Sequence, residues 1–170
     1  SVCNFYIWRR SYKIRMINFL YYCSMRKLPF ILLCLPMIGF GQLTYVPDDN
    51  FEQMLIFYGY DNVLDDSVLT ANISIVSNLL IDQGIPGSGV VYDLTGIEDF
   101  IALEGLICEG HQLTTLDLSN NTSLTDFQCA PNSLRNLDVR NGNNTNFTNF
   151  ASGQNPNLFC IDVDDPVYST

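Results

Sequence analysis

Residues 103–121 read LEGLICEGHQLTTLDLSNN, and residues 124–142 read LTDFQCAPNSLRNLDVRNG. The two stretches superpose at an offset of 21 residues, with Leu103/Leu124, Cys108/Cys129, Leu113/Leu134, Leu116/Leu137, Asp117/Asp138 and Asn120/Asn141 identical. Leu106/Phe127 and Leu118/Val139 are apolar in both. Apolar positions that hold their phase through a whole period mark a structural repeat rather than chance alternation. Leu106 and Cys108 are two residues apart, so both point to the same side of a strand. The half-repeat Leu113-x-x-Leu116-x-Leu118-x-x-Asn121 has the same spacing, so both sides of each coil read as strand-like. One coil cannot bury its apolar face alone, and stacked coils must share a continuous core.

Working outward, a third and degraded copy follows the polar insertion Asn143-Asn144-Thr145-Asn146. Phe147, Phe150, Ser152 and Asn155 stand where Leu124, Phe127, Cys129 and Asn132 stood. Leu158 and Ile161-Asp162-Val163 echo Leu134 and Leu137-Asp138-Val139. A looser, earlier coil runs through Val76, Leu79 and Ile81, and its return from Val90 to Ile97 is lengthened by the turn-rich residues 84–89. The shared pattern, L-x-x-L-x-C-x-x-N-x-L, resembles the leucine-rich repeat. That resemblance makes Asn132 and Asn155 inward side chains that satisfy backbone groups at the bend, with His111 as a structural substitute for Asn.

Before the repeats, an Asp/Asn-rich start precedes Phe51 to Tyr58, whose Phe51, Leu55 and Tyr58 share one helical face. Gly59 is a natural stop. This short amphipathic helix is expected to cover the open end of the solenoid core. Residues 65–69 (DDSVL) are expected to start another helical turn.

Charge divides the chain. Residues 1–41 hold six of the eight basic residues and no carboxylate, while residues 42–170 hold all 18 acidic residues with only Arg135 and Arg140, a formal −16. So acidic a surface repels phosphate backbones, which disfavours nucleic acid, and no nucleic-acid partner is expected. Met25-Arg26-Lys27 followed by the 13-residue apolar stretch LPFILLCLPMIGF reads as a signal peptide with cleavage before Gln42,. The apolar stretch is too short for a membrane span of about 20 residues, so no transmembrane segment is expected after cleavage. Residues 1–24 then read as upstream sequence that is non-native or disordered. The later segment keeps Cys108, Cys129 and Cys160, an odd number that argues against a full disulfide set.

Four segments, VPDDNFEQ (46–53), GYDNVLDD (59–66), DLTGIEDF (93–100) and QLTTLDLSNNTSL (112–124), together resemble secreted leucine-rich-repeat proteins of Bacteroidetes-type bacteria, with 21-residue repeats and loosely internalin-like. The fold expected is an α/β repeat: a short leucine-rich-repeat solenoid with parallel strands and an N-terminal helical cap. Its parts are the signal peptide at 25–41, the cap at 42–72, the coils at 73–165 and a truncated end at 166–170. The resemblance implies adhesins or surface scaffolds that bind rather than catalyse, placed outside the cell or on its outer surface.

Candidate chemistry is sparse. Cys108 and Cys129 read as buried free thiols one coil apart, with no CxxC pair or companion His for zinc, and Cys160 is expected to pack under the last coil. Asp117, Asp138 and Asp162 recur at an outward position. Stacked carboxylates about 5 Å apart repel, so calcium is the one cofactor in view, against an ordinary solvated face. Asp48, Asp49, Asp61, Asp65 and Asp66 lack the spacing of an EF-hand and read as helix caps and solubilising charge. Binding residues are expected on the strand faces: Glu104, Ile107, Glu109, Gln128, Ala130 and Ala151 on one, Thr115, Asp117, Arg135, Asp138 and Arg140 on the other. No nucleophile, base and partner form a catalytic constellation. The function read is non-catalytic recognition of a protein or glycan. A spacer displaying a C-terminal module and the targeting part of a secreted enzyme are the alternatives.

Overall fold

A computed structural model describes residues 41–167. The reading of 1–24 and, Gly41 apart, of the signal peptide falls outside the described residues, as do 168–170. The quoted repeats form two stacked coils. Each coil contributes one three-residue strand to each of two parallel sheets. One sheet is ordered β3 (Asn78–Leu80), β4 (Gly105–Ile107), β6 (Asp126–Gln128), β8 (Asn149–Ala151); the other is ordered β5 (Thr115–Asp117), β7 (Asn136–Asp138), β9 (Ile161–Asp162). Leu79, Leu106, Phe127 and Phe150 stand in one register row, and Leu116, Leu137 and Ile161 in another. The 21-residue period holds only between β4 and β6 and between β5 and β7; the flanking coils are longer.

The core lies between the sheets. Leu103, Leu106, Leu113, Leu118, Leu124, Phe127 and Leu134 are all fully buried. Each such side chain contributes about 1.5–3 kcal/mol on leaving water. Burial fades towards the last coil: Phe127 is 0% exposed and Phe150, stacked on it at 5.3 Å, is 38% exposed. The 143–146 insertion becomes a 3-10 turn, Asn144–Asn146, tied down by Asn143 Nδ2 to Leu124 O (2.9 Å) and by the Asp164 N–H to Asn144 Oδ1 (2.7 Å).

The cap contains α1 (Asp49–Phe57), with Asp48 as its N-cap accepting from the N–H groups of Asn50 and Phe51, and Gly59 in the left-handed region just past its end. It also contains an element the sequence did not announce, an antiparallel pair of β1 (Leu43–Tyr45) with β2 (Ser67–Leu69). The helical turn expected from Asp65 is therefore displaced, and α2 is a four-residue piece, Thr70–Ile73. The N–H groups of Asp65, Asp66 and Ser67 are bound by the buried Glu52 carboxylate, which holds this backbone out of a helix. The return of the first coil forms no strand. Val91, Leu94 and Ile97 are buried, but Asp48 Oδ2 binds the N–H groups of Tyr92 (2.7 Å) and Asp93 (3.1 Å), taking donors a strand would offer β5.

At the bend after the first sheet, Asn132 Oδ1 accepts from Leu113 N–H (3.0 Å) and its Nδ2 donates to Cys108 O (2.6 Å). Asn155 repeats this one coil later with Leu134 N–H (2.9 Å) and Cys129 O (3.1 Å). His111 does the same one coil earlier: Nδ1 accepts from Val91 N–H (3.2 Å), and Nε2, 3.1 Å from Ile81 O, takes the donor's place. At the other bend Asn121, not Asn120, is buried and donates to Ile97 O, and Asn141 donates to Asn121 O. The identity of Asn120 with Asn141 is thus off by one residue from the structural equivalence. Cys108 and Cys129 are buried and unbridged; burial pushes the Cys108 thiol up, and the neighbouring Cys129 adds to the shift. Cys160 is exposed, contrary to the expectation that it packs under the last coil.

Candidate recognition faces

The two sheets present outward rows of opposite character. On the first, the outward positions are Asn78, Gly105, Asp126 and Asn149 in one row and Leu80, Ile107, Gln128 and Ala151 in the next. Ile107 and Gln128 therefore stand where the sequence placed them, both half-buried, with Gln128 Nε2 donating to Asp126 Oδ1 at 3.1 Å. Glu104 and Glu109 are exposed but flank β4 in the adjoining bends, and Ala130 lies past the end of β6. Ile107 does not stand alone as the large apolar group of this face. Leu80, 45% exposed, adjoins it in register, and Tyr58 and Tyr60, just past the end of α1, pack with tilted rings 5.9 Å apart beside a hollow of about 300 Å³. The Tyr58 hydroxyl donates to Leu80 O at 2.8 Å; burial pushes its ionisation up, and Asp82 reinforces this. Gly105 lines the hollow, and a Cβ there would meet Asn78 Oδ1 at 2.5 Å. Three-residue strands in register carry the missed signal, since aligning Leu79 on Leu106 puts Leu80 beside Ile107.

The second sheet faces outward with Thr115 and Asp117, Asn136 and Asp138, and Asp162. Asp93 and Glu98, from the irregular return of the first coil, close a groove of about 450 Å³ against them. Asn136, not Arg135, holds the outward strand position; Arg135 sits at the preceding corner, exposed, its N–H donating to Thr114 O. Asp117, Asp138 and Asp93 each serve their own turn. Asp117 Oδ1 accepts from Ser119 N–H (2.9 Å), Asp138 Oδ1 from Arg140 N–H (3.0 Å), and Asp93 Oδ1 from Thr95 N–H (2.8 Å). The Arg140 guanidinium lies along Asp138 in a bidentate pair. That pair holds the Asp138 carboxyl below its usual range, while Asp138, then Asp162 and Asp117, stabilise the charged arginine. The repulsion that prompted the calcium expectation is met by Arg140. Among the described residues, Asp117, Asp138 and Asp162 are not gathered into a set of close ligand atoms.

The one histidine has both ring nitrogens turned to the backbone of the preceding coil and is buried. It offers no free lone pair to a reacting group.

No family model matches this chain, and no curated protein matches it. Among solved structures the chain is similar to an internalin, InlF, from Listeria monocytogenes, at 20% identity and a TM-score of 0.53 over 69% of this chain and 36% of that one. It is also similar to the functional domain of InlJ from Listeria monocytogenes, which includes a cysteine ladder, at 25% identity and a TM-score of 0.49 over 72% of this chain and 33% of that one. The chain spans about a third of the length of these structures. The first likeness and the parallel stacking together define the fold as a short leucine-rich-repeat solenoid. Among the described residues no helix is long and apolar enough to cross a membrane.

Proposed function

We propose that this chain is a non-catalytic recognition protein working outside the cell, and that its acidic strand face receives a basic segment of a protein partner. The observation that carries the reading is the groove of Asp93, Glu98, Asp117, Asp138 and Asp162, where five carboxylates face one guanidinium. Arg140, lying on Asp138, marks the kind of group the face accepts. Electrostatic complementarity of this sort sets specificity and association rate.

The test is selection from a displayed random peptide library on the full chain. Enriched peptides should be rich in Arg and Lys, lose affinity between 0.05 and 0.5 M NaCl as screening shortens, and bind the Asp117→Asn/Asp138→Asn double variant at least about fivefold more weakly. Enrichment of uncharged peptides indifferent to that variant would refute it. A second reading, glycan recognition, is favoured by the adjacent Tyr58 and Tyr60 rings beside Leu80 and Ile107, an aromatic platform with polar tips,. Tyr60→Ala should abolish binding on a glycan array if that reading is the right one.

A further inference from the structure

The cap holds acidic residues of a different kind from those on the strand face. Glu52 sits on α1 with its side chain fully buried. Its Oε1 accepts from Asp65 N–H (3.0 Å) and Ser67 N–H (3.1 Å), and its Oε2 from Asp66 N–H (3.1 Å). Glu52 thereby gathers the loop that runs from α1 to β2, and that loop brings two more carboxylates with it. One oxygen from each of Glu52, Asp61 and Asp65 lies within 4.8 Å of the other two. Asp65 Oδ1 has a donor, the Ser67 hydroxyl at 2.8 Å. Asp61 Oδ2 has none: it is shut off from solvent and without a hydrogen-bond partner. A carboxylate oxygen in that position is costly unless something positive meets it.

The described part of the chain supplies nothing positive there. Its only Lys or Arg residues are Arg135 and Arg140, both beside β7 in the repeats, and Arg140 is paired with Asp138. A cation from solution can supply the compensating charge. We propose that Glu52, Asp61 and Asp65 bind a calcium ion that fastens the 59–67 loop to α1. The donors are all carboxylate oxygens, which suit a hard cation. Ligand oxygens stand about 2.3–2.6 Å from a calcium ion, so three oxygens within 4.8 Å of one another can share one,. Glu52 Oε2 accepts one N–H and keeps a lone pair for the ion,. Asp61 Oδ2 gains the partner it lacks. Asp65 is exposed, so water completes the coordination shell on that side. Three protein ligands with an open side place the affinity with the weaker extracellular sites, about 10⁻⁴–10⁻³ M.

The experiment uses the full chain. Tb³⁺, a calcium surrogate excited through tyrosine, reports the site because Tyr60 adjoins Asp61. Calcium should displace Tb³⁺ with a midpoint of about 0.1–1 mM and raise Tm by roughly 4–10 °C at 10 mM, with magnesium doing less. Asp61→Asn should still fold, because its amide donates where the carboxylate could not, and should bind calcium at least about tenfold more weakly with no rise in Tm. Asp117→Asn, on the strand face, should keep the wild-type response. The proposal is overturned if calcium moves neither signal, or if Asp61→Asn responds as the wild type does. It is also overturned if Asp117→Asn loses the response, since the ion would then sit on the strand row.

Discussion

Two series of polar residues recur along this solenoid, one per coil, and they recur for opposite reasons. His111, Asn132 and Asn155 are buried, and each exchanges two hydrogen bonds with the coil before it. Asp117, Asp138 and Asp162 are open to solvent to varying degrees, and the side chains of the first two bond only within their own turns and to Arg140. The first series is mortar between coils, because an unbonded N–H or C=O at a buried bend is expensive. The second is paint on the outer surface, where water already satisfies the carboxylates. Recurrence in a repeat sequence therefore marks position on the coil, and burial decides whether that position carries stability or display.

The sharpest way to break this contrast is Asn132→Ala. It orphans Leu113 N–H and Cys108 O together and should cost about 2–4 kcal/mol in urea unfolding, whereas Asp117→Ala should cost under about 0.5 kcal/mol. Equal losses would remove the distinction. A finer test compares two changes at His111. His111→Ala strands Val91 N–H and Ile81 O and should cost about 2 kcal/mol. His111→Asn restores the residue found in the next two coils and should stay within about 1 kcal/mol of the wild type. If both variants unfold alike, the imidazole matters for its bulk rather than its two bonds.

The smallest effect belongs to Asp138. Its carboxyl is held below the ordinary 3.8 by Arg140, so the pair adds stability that is fully present above pH 3.8 and lost as pH falls through the lowered value. The pair is surface-exposed on the arginine side, where solvent screening keeps its worth small. The difference between wild type and Asp138→Asn should be measurable at pH 6, shrink in 1 M NaCl and vanish near pH 2. A difference that survives at pH 2 would mean that Asp138 stabilises the coil through its turn geometry alone.

Much of the fold was legible because a leucine-rich coil is written in short-range periods. Leu106 and Cys108, Leu116 and Leu118, and Asn132 each stand at a fixed distance from a bend, and the register rows follow from aligning them. The irregular parts were not legible. The strand at Ser67–Leu69 depends on Glu52 reaching a loop thirteen residues away to bind Asp65 N–H, and the missing strand around Tyr92 depends on Asp48 binding backbone 44 residues distant. No local pattern records such capture. For the candidate faces, Asp117 and Asp138 were placed by alternation, Arg135 was misplaced by one position, and Tyr58, Tyr60 and Leu80 were missed because their patch joins two segments distant in the chain.

The sequence by itself determined the stacking of coils, the apolar interior and the acidic exterior, since these need only periodicity and charge composition. Only the tertiary structure decided which carboxylates are solvated and which meet. Asp117 and Asp138 lie one repeat apart yet each is satisfied within its own turn. Glu52, Asp61 and Asp65 share no repeat and converge on one point of the cap, because a buried carboxylate must collect its donors from wherever the chain can bring them,.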